Sequence, residues 1–66
     1  MKDLVFCENL KRIRESRAIT QNELEIVAQL PLGVVSFYET GTRSPGLANL
    51  KALCIALECS ANALLF

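Results

Sequence analysis

Sixty-six residues, 52% of them apolar and four aromatic, make a single small globular domain (1–66) and exclude a disordered tail. Seven Lys and Arg balance seven Asp and Glu, so the chain lacks the basic excess of most dedicated nucleic-acid binders. A domain this short buries only about 60% of its unfolded surface, so its stability depends on good packing or on self-association.

No apolar run approaches the ~20 residues that span a bilayer, so no membrane association is expected. The start, with Lys2 and Asp3, lacks the apolar centre of a signal peptide, and a cytoplasmic location is expected. Cys7, Cys54 and Cys59 are three thiols in a chain without histidine. They form no Cys-x-x-Cys pair and lack a fourth ligand, so no metal and no cofactor is expected, and they read as reduced, small apolar residues.

The first helix is expected from about Asp3 to Arg17. Leu4 or Phe6, then Leu10, Ile13 and Arg17, fall near one stripe at three- and four-residue spacing. Thr20 opens the second helix. Glu23, three positions on, completes a capping box, and Ile19 with Leu24 completes a hydrophobic staple. Leu24, Val27 and Ala28 are expected to face inward. Gln29 and Leu30 form a turn, and Pro31 is expected to start a third helix running to about Glu39 or Thr40. Val35 and Tyr38 should face the core. Gly41 ends this helix by taking φ > 0, and Pro45 bars its continuation. The fourth helix covers roughly Leu47 to Leu57, with Leu47, Leu50, Leu53, Cys54 and Leu57 as its apolar stripe. Ser60 caps a short fifth helix, Ala61 to Leu65.

The order of these elements, with Leu10-x-x-Ile13-Arg14, Ile19-Thr20-Gln21-x-x-Leu24, Val35-x-x-Tyr38-Glu39-x-Gly41-x-Arg43-x-Pro45 and Leu50-x-x-Leu53-x-x-Ala56-Leu57-x-x-Ser60-x-x-x-Leu64-Leu65, resembles the Cro/C1-type (Xre-like) helix-turn-helix domains of phage repressors and small bacterial regulators. The resemblance covers about Leu10 to Leu65. It implies an all-α, five-helix domain of the lambda repressor-like type, with the helix-turn-helix at about residues 20–40. It also implies a transcriptional regulator that binds double-stranded DNA as a homodimer on a palindromic operator.

Site residues follow from the same resemblance. Arg14 and Glu39 stand where the family pairs a first-helix arginine with a glutamate ending the third helix. Gln21 stands where the family meets a DNA phosphate. Leu32, Gly33, Val34, Ser36 and Phe37 occupy or adjoin the outward positions that read bases, and Thr40, Thr42 and Arg43 form a loop suited to phosphate. Leu64, Leu65 and Phe66 end the chain on an apolar segment that could be a dimer contact or a core cover, and a dimer contact is expected. Two places where the family often has glycine hold Ala18 and Gln29, each costing roughly 1 kcal/mol if it takes φ > 0.

The departure lies where specificity should be. Arg, Asn and Gln read bases through paired hydrogen bonds, and Leu32, Val34 and Phe37 offer only apolar contact. Between Thr20 and Pro45 the only cation is Arg43, against Glu23, Glu25 and Glu39. Three readings stay open: DNA binding through backbone, methyl and shape contacts; a protein-interaction module with weak or no DNA binding; or a helix phase that puts part of this face in the core. A further reading is that the chain is one part of a larger regulator. Catalysis is not expected. There is no histidine and no Gly-rich phosphate loop, Glu23 is a cap, Glu25 reads as a solvated residue, and no thiol has a neighbouring base.

Overall fold

The computed structural model describes residues 4–66 as five helices: α1 (Leu4–Ser16), α2 (Gln21–Ala28), α3 (Val34–Thr40), α4 (Leu47–Leu57) and α5 (Ala61–Leu65). The expected start of the first helix at Asp3 lies outside the described residues. No strand occurs among them, as the helical periodicity led one to expect. None of the described helices is long and apolar enough to cross a membrane.

One core joins all five helices. Phe6, Leu10 and Ile13 of α1 meet Leu24 of α2, Val34, Val35 and Tyr38 of α3, Leu53 and Leu57 of α4, and Leu64 of α5. α2 packs on α3 and α4, and α1 packs on α3 and α5. The inward stripes differ from expectation in detail. On α1, Phe6 and Cys7 are buried while Leu4 is exposed; on α2, Val27 is exposed and Glu25 takes an inward place; on α4, Leu47 is exposed. α2 is wedged between α3 and α4, so its buried face includes the side of the helix that carries Glu25. Arg17 lies on the surface, and its Nε donates to the Leu57 carbonyl at 3.0 Å, satisfying an orphan acceptor near the end of α4.

Four helices end in the same way. After α1, α2, α3 and α4 the chain takes one left-handed residue (Ala18, Gln29, Gly41 and Glu58) and folds two amides back onto the last turn. For α2 these bonds are Gln29 N to Ile26 O at 3.2 Å and Leu30 N to Glu25 O at 2.8 Å. Only one of the four sites has glycine. Ala18, Gln29 and Glu58 hold φ of 57°, 58° and 53°, each against Cβ repulsion. Glycine there relieves about 1–2 kcal/mol of strain and returns part of it as unfolded-chain entropy. Ala18→Gly and Gln29→Gly are therefore each expected to stabilise the domain by about 0.5–1 kcal/mol, read from the urea midpoint at constant m-value.

The turn between α2 and α3 is longer than the sequence suggests. Pro31 does not start α3; it begins a reverse turn in which Val34 N donates to Pro31 O at 3.3 Å. Gly33, with φ 90° and ψ −12°, has the angles a type II turn needs at its third residue. Only after it, at Val34, does helical geometry begin. Nothing lies within 4 Å of a Cβ placed on Gly33, so its backbone angle alone calls for glycine.

Candidate nucleic-acid interface

The base of the helix-turn-helix is a polar cluster built from three helices. Arg14 Nε donates to Glu39 Oε2 at 2.7 Å and its Nη2 to Oε1 at 3.2 Å, a two-point ion pair. The Arg14 and Glu39 side chains are only 10% and 5% exposed. Arg14 Nη1 also donates to the Ile19 carbonyl at 2.8 Å, which ties the chain leaving α1 to the same cluster. The hydrogen bond to Glu39 holds the Arg14 guanidinium above its ordinary pKa. With both charges desolvated, each needs the other.

Gln21 joins this cluster from the first turn of α2, its Nε2 donating to Glu39 Oε1 at 3.0 Å. One amide hydrogen is thus committed to the fold, and a second remains for other contacts. The turn of α2 that carries Gln21 is set by its capping box. Glu23 N donates to Thr20 Oγ1 at 3.1 Å, and Thr20 N donates to Glu23 Oε1 at 2.8 Å.

The residues singled out on and around α3 separate into two groups. Val34 is 8% exposed and belongs to the core, so it cannot read bases. The reason is the late start of α3: with Gly33 in the turn, Val34 begins the helix on the inward side beside Val35. Leu32, by contrast, is 76% exposed and stands at the tip of the turn. Gly33 lies beside it in the turn, Ser36 is half-buried, and Phe37 is 41% exposed. The Arg43 guanidinium stacks over the Phe37 ring at 4.8 Å from its centroid, so the loop cation is carried on α3's apolar face. Thr40 Oγ1 bonds the Ser36 and Phe37 carbonyls at 3.0 and 3.2 Å and lies 2.9 Å from Thr42 Oγ1. These two hydroxyls brace the end of α3. Asn49 Nδ2 donates to Tyr38 Oη at 2.9 Å, anchoring α3 to α4.

At the other end of the chain the apolar segment is split. Leu64 is fully buried in the core, and Asn9 Nδ2 of α1 donates to its carbonyl at 3.1 Å. It cannot contact a second subunit, because α5 uses it to close on α1. Leu65 and Phe66 remain exposed.

Two solved structures share this arrangement closely. The restriction-modification controller protein C.AhdI from Aeromonas hydrophila superposes with a TM-score of 0.89 at 26% identity, over 94% of each chain. A hypothetical transcription factor, NHTF, from Neisseria superposes with a TM-score of 0.92 at 26% identity, over all of this chain and 76% of the other. No curated protein matches the sequence. The sequence profile of the helix-turn-helix family matches residues 10–64. The chain belongs to the helix-turn-helix family. It is a Cro/C1-type helix-turn-helix protein, and its scaffold is that of DNA-binding transcriptional regulators. Within a helix-turn-helix protein, α3 is the reading helix and α2 the helix that crosses the DNA backbone.

One residue of the site escaped the sequence pattern. Glu25 is not solvated; it is 0% exposed, and its Oε2 accepts a hydrogen bond from Val35 N, in the first turn of α3, at 2.9 Å. Its spacing from Gln21 and Ala28, four and three residues, does place it on one helical face with them, but a carboxylate at such a position reads as surface.

Proposed function

We propose that the chain regulates transcription in the cytoplasm as a homodimer on a palindromic DNA operator, each subunit laying α3 in the major groove. The observation that carries this is the outward strip of Leu32, Gly33, Ser36, Phe37 and Arg43 on a helix-turn-helix braced by Arg14, Glu39 and Gln21. Such a strip recognises bases by methyl contact and shape more than by hydrogen bonds, with Leu32 and Phe37 suited to thymine methyls and Ser36 to a single polar contact. Gln21, the amides at the start of α2, Thr42 and Arg43 would meet phosphate. The dimer contact is assigned to exposed apolar residues of α4 and the C-terminus: Leu47, Ile55, Leu65 and Phe66. No catalytic step, cofactor or metal enters this function.

Phosphate neutralisation should be sparse. Arg14 is held by Glu39 and Arg17 bonds the end of α4, while Arg43, stacked on Phe37, is the cation carried on the reading helix itself. With one such contact per subunit, log K should fall against log salt with a slope of about −2 for the dimer. Arg43→Ala should bring that slope close to zero in a fluorescence-anisotropy titration.

A second reading is favoured by the exposure of Leu32 and Phe37, apolar side chains of the kind found at protein-binding surfaces. Selection from random duplex DNA at low salt separates the two. Enrichment of a palindromic motif is expected; no enrichment from a folded protein would overturn the DNA reading. Sedimentation at micromolar concentration is expected to give a dimer mass, and a monomer would overturn the dimer assignment.

A further inference from the structure

We propose that Glu25 is a positioning residue for the reading helix, fastening the start of α3 to α2 so that Ser36 and Phe37 meet DNA in one fixed pose; this rests on the DNA-binding function proposed above. α3 cannot cap itself, because its N-cap residue is Gly33. The Val35 amide points into the interior, where Val35 is fully buried, and it must find an acceptor there. α2 supplies one from ten residues earlier, through Glu25 Oε2 at 2.9 Å.

Stability alone does not account for a carboxylate at this place. Glu25 is fully buried, and its Oε1 has no hydrogen-bond partner among the described residues. A buried carboxyl oxygen without a partner is costly, and this offsets part of what the bond to the Val35 amide contributes. What the carboxylate adds is geometry. Gln21 and Glu25 stand one turn apart on α2, and their partners Glu39 and Val35 stand one turn apart on α3, in reversed order. Core packing of Val35 and Tyr38, the Asn49 bond and the Arg14 pair already hold α3 on the other helices, and the bond to Glu25 adds a second polar tie to α2. Two tethers at opposite ends of a seven-residue helix fix both its slide along α2 and its rotation. Rotation decides which of Leu32, Ser36 and Phe37 faces the groove, and a face with so few polar readers tolerates little misplacement.

The test compares wild type with Glu25→Met, Glu25→Asp and Glu25→Gln, using the duplex enriched in the selection above as probe. Methionine fills the space without an acceptor, aspartate withdraws the acceptor by one methylene, and glutamine keeps it. Glu25→Met leaves the buried Val35 amide without an acceptor and is expected to lower the urea midpoint; under conditions where it stays folded it should bind the duplex at least about fivefold more weakly. Glu25→Asp should weaken binding likewise, and Glu25→Gln should stay within about twofold of wild type. Residual dipolar couplings on the DNA-free protein should show the α2–α3 angle changed in Glu25→Met and Glu25→Asp and retained in Glu25→Gln. Wild-type angle and affinity in both the methionine and aspartate variants would overturn the proposal. Should wild type bind no duplex, the DNA-binding function fails, while the angle in the free protein still decides whether Glu25 sets the pose of α3.

Discussion

Glu39→Ala is expected to destabilise the domain by about 3–5 kcal/mol, because it leaves the Arg14 guanidinium buried without its counter-charge. Glu39 accepts three hydrogen bonds, two from Arg14 and one from Gln21, so its loss also frees the start of α2. A domain of this size has roughly 3–10 kcal/mol of stability in all, so the variant should be largely unfolded at 37 °C. Urea denaturation followed by circular dichroism at 222 nm reads the effect directly. Replacing both partners, as in Arg14→Met with Glu39→Leu, should cost less than either single change, since no buried charge is then left unpaired. A double variant less stable than Glu39→Ala would show that the pair itself contributes little and that the bond from Arg14 to the Ile19 carbonyl matters more. The pH sign is also defined. The bond to Glu39 raises the Arg14 pKa above its usual value. The Arg14 side of the pair therefore contributes fully below the usual arginine range and is lost as pH rises through the raised value.

Leu64→Ala should cost about 2–5 kcal/mol, the range for a fully buried leucine whose cavity collapses only in part. Leu64 is the buried residue of α5, a helix of five residues that packs on α1 and α4. Without it α5 has little to hold it beyond its Ser60 cap and the Asn9 bond to the Leu64 carbonyl. The expected signature is a lower urea midpoint together with a lower m-value if α5 detaches before the rest unfolds. Removing the exposed Phe66 is expected to leave the midpoint within about 0.5 kcal/mol of wild type, as for other surface changes. Equal losses for the two would mean that the chain end acts as a unit rather than through Leu64.

These two sites mark where a linear pattern is informative. Arg14 and Glu39 were legible because the resemblance named both positions and a charge beside core residues calls for a partner. The inward place of Leu64 is not legible, because Leu64-Leu65-Phe66 is apolar throughout and carries no periodicity to tell an inward residue from an outward one. The same limit applies at the other apolar segment, Leu32 to Val35, where a shift in helix start moves Val34 from surface to core.

What the sequence determined by itself were the features whose partners lie within one turn of the chain. Thr20 with Glu23 set the start of α2, Gly41 the end of α3, and Ser60 the start of α5. Each is settled by interactions between residues three to six apart, so the order of the letters suffices. The tertiary structure alone decided that Ala18, Gln29 and Glu58 take left-handed angles, that α3 starts at Val34 rather than at Pro31, and that Glu25 turns inward to Val35. In those cases a local preference opposes the outcome, and packing among five helices supplies the free energy that overrides it.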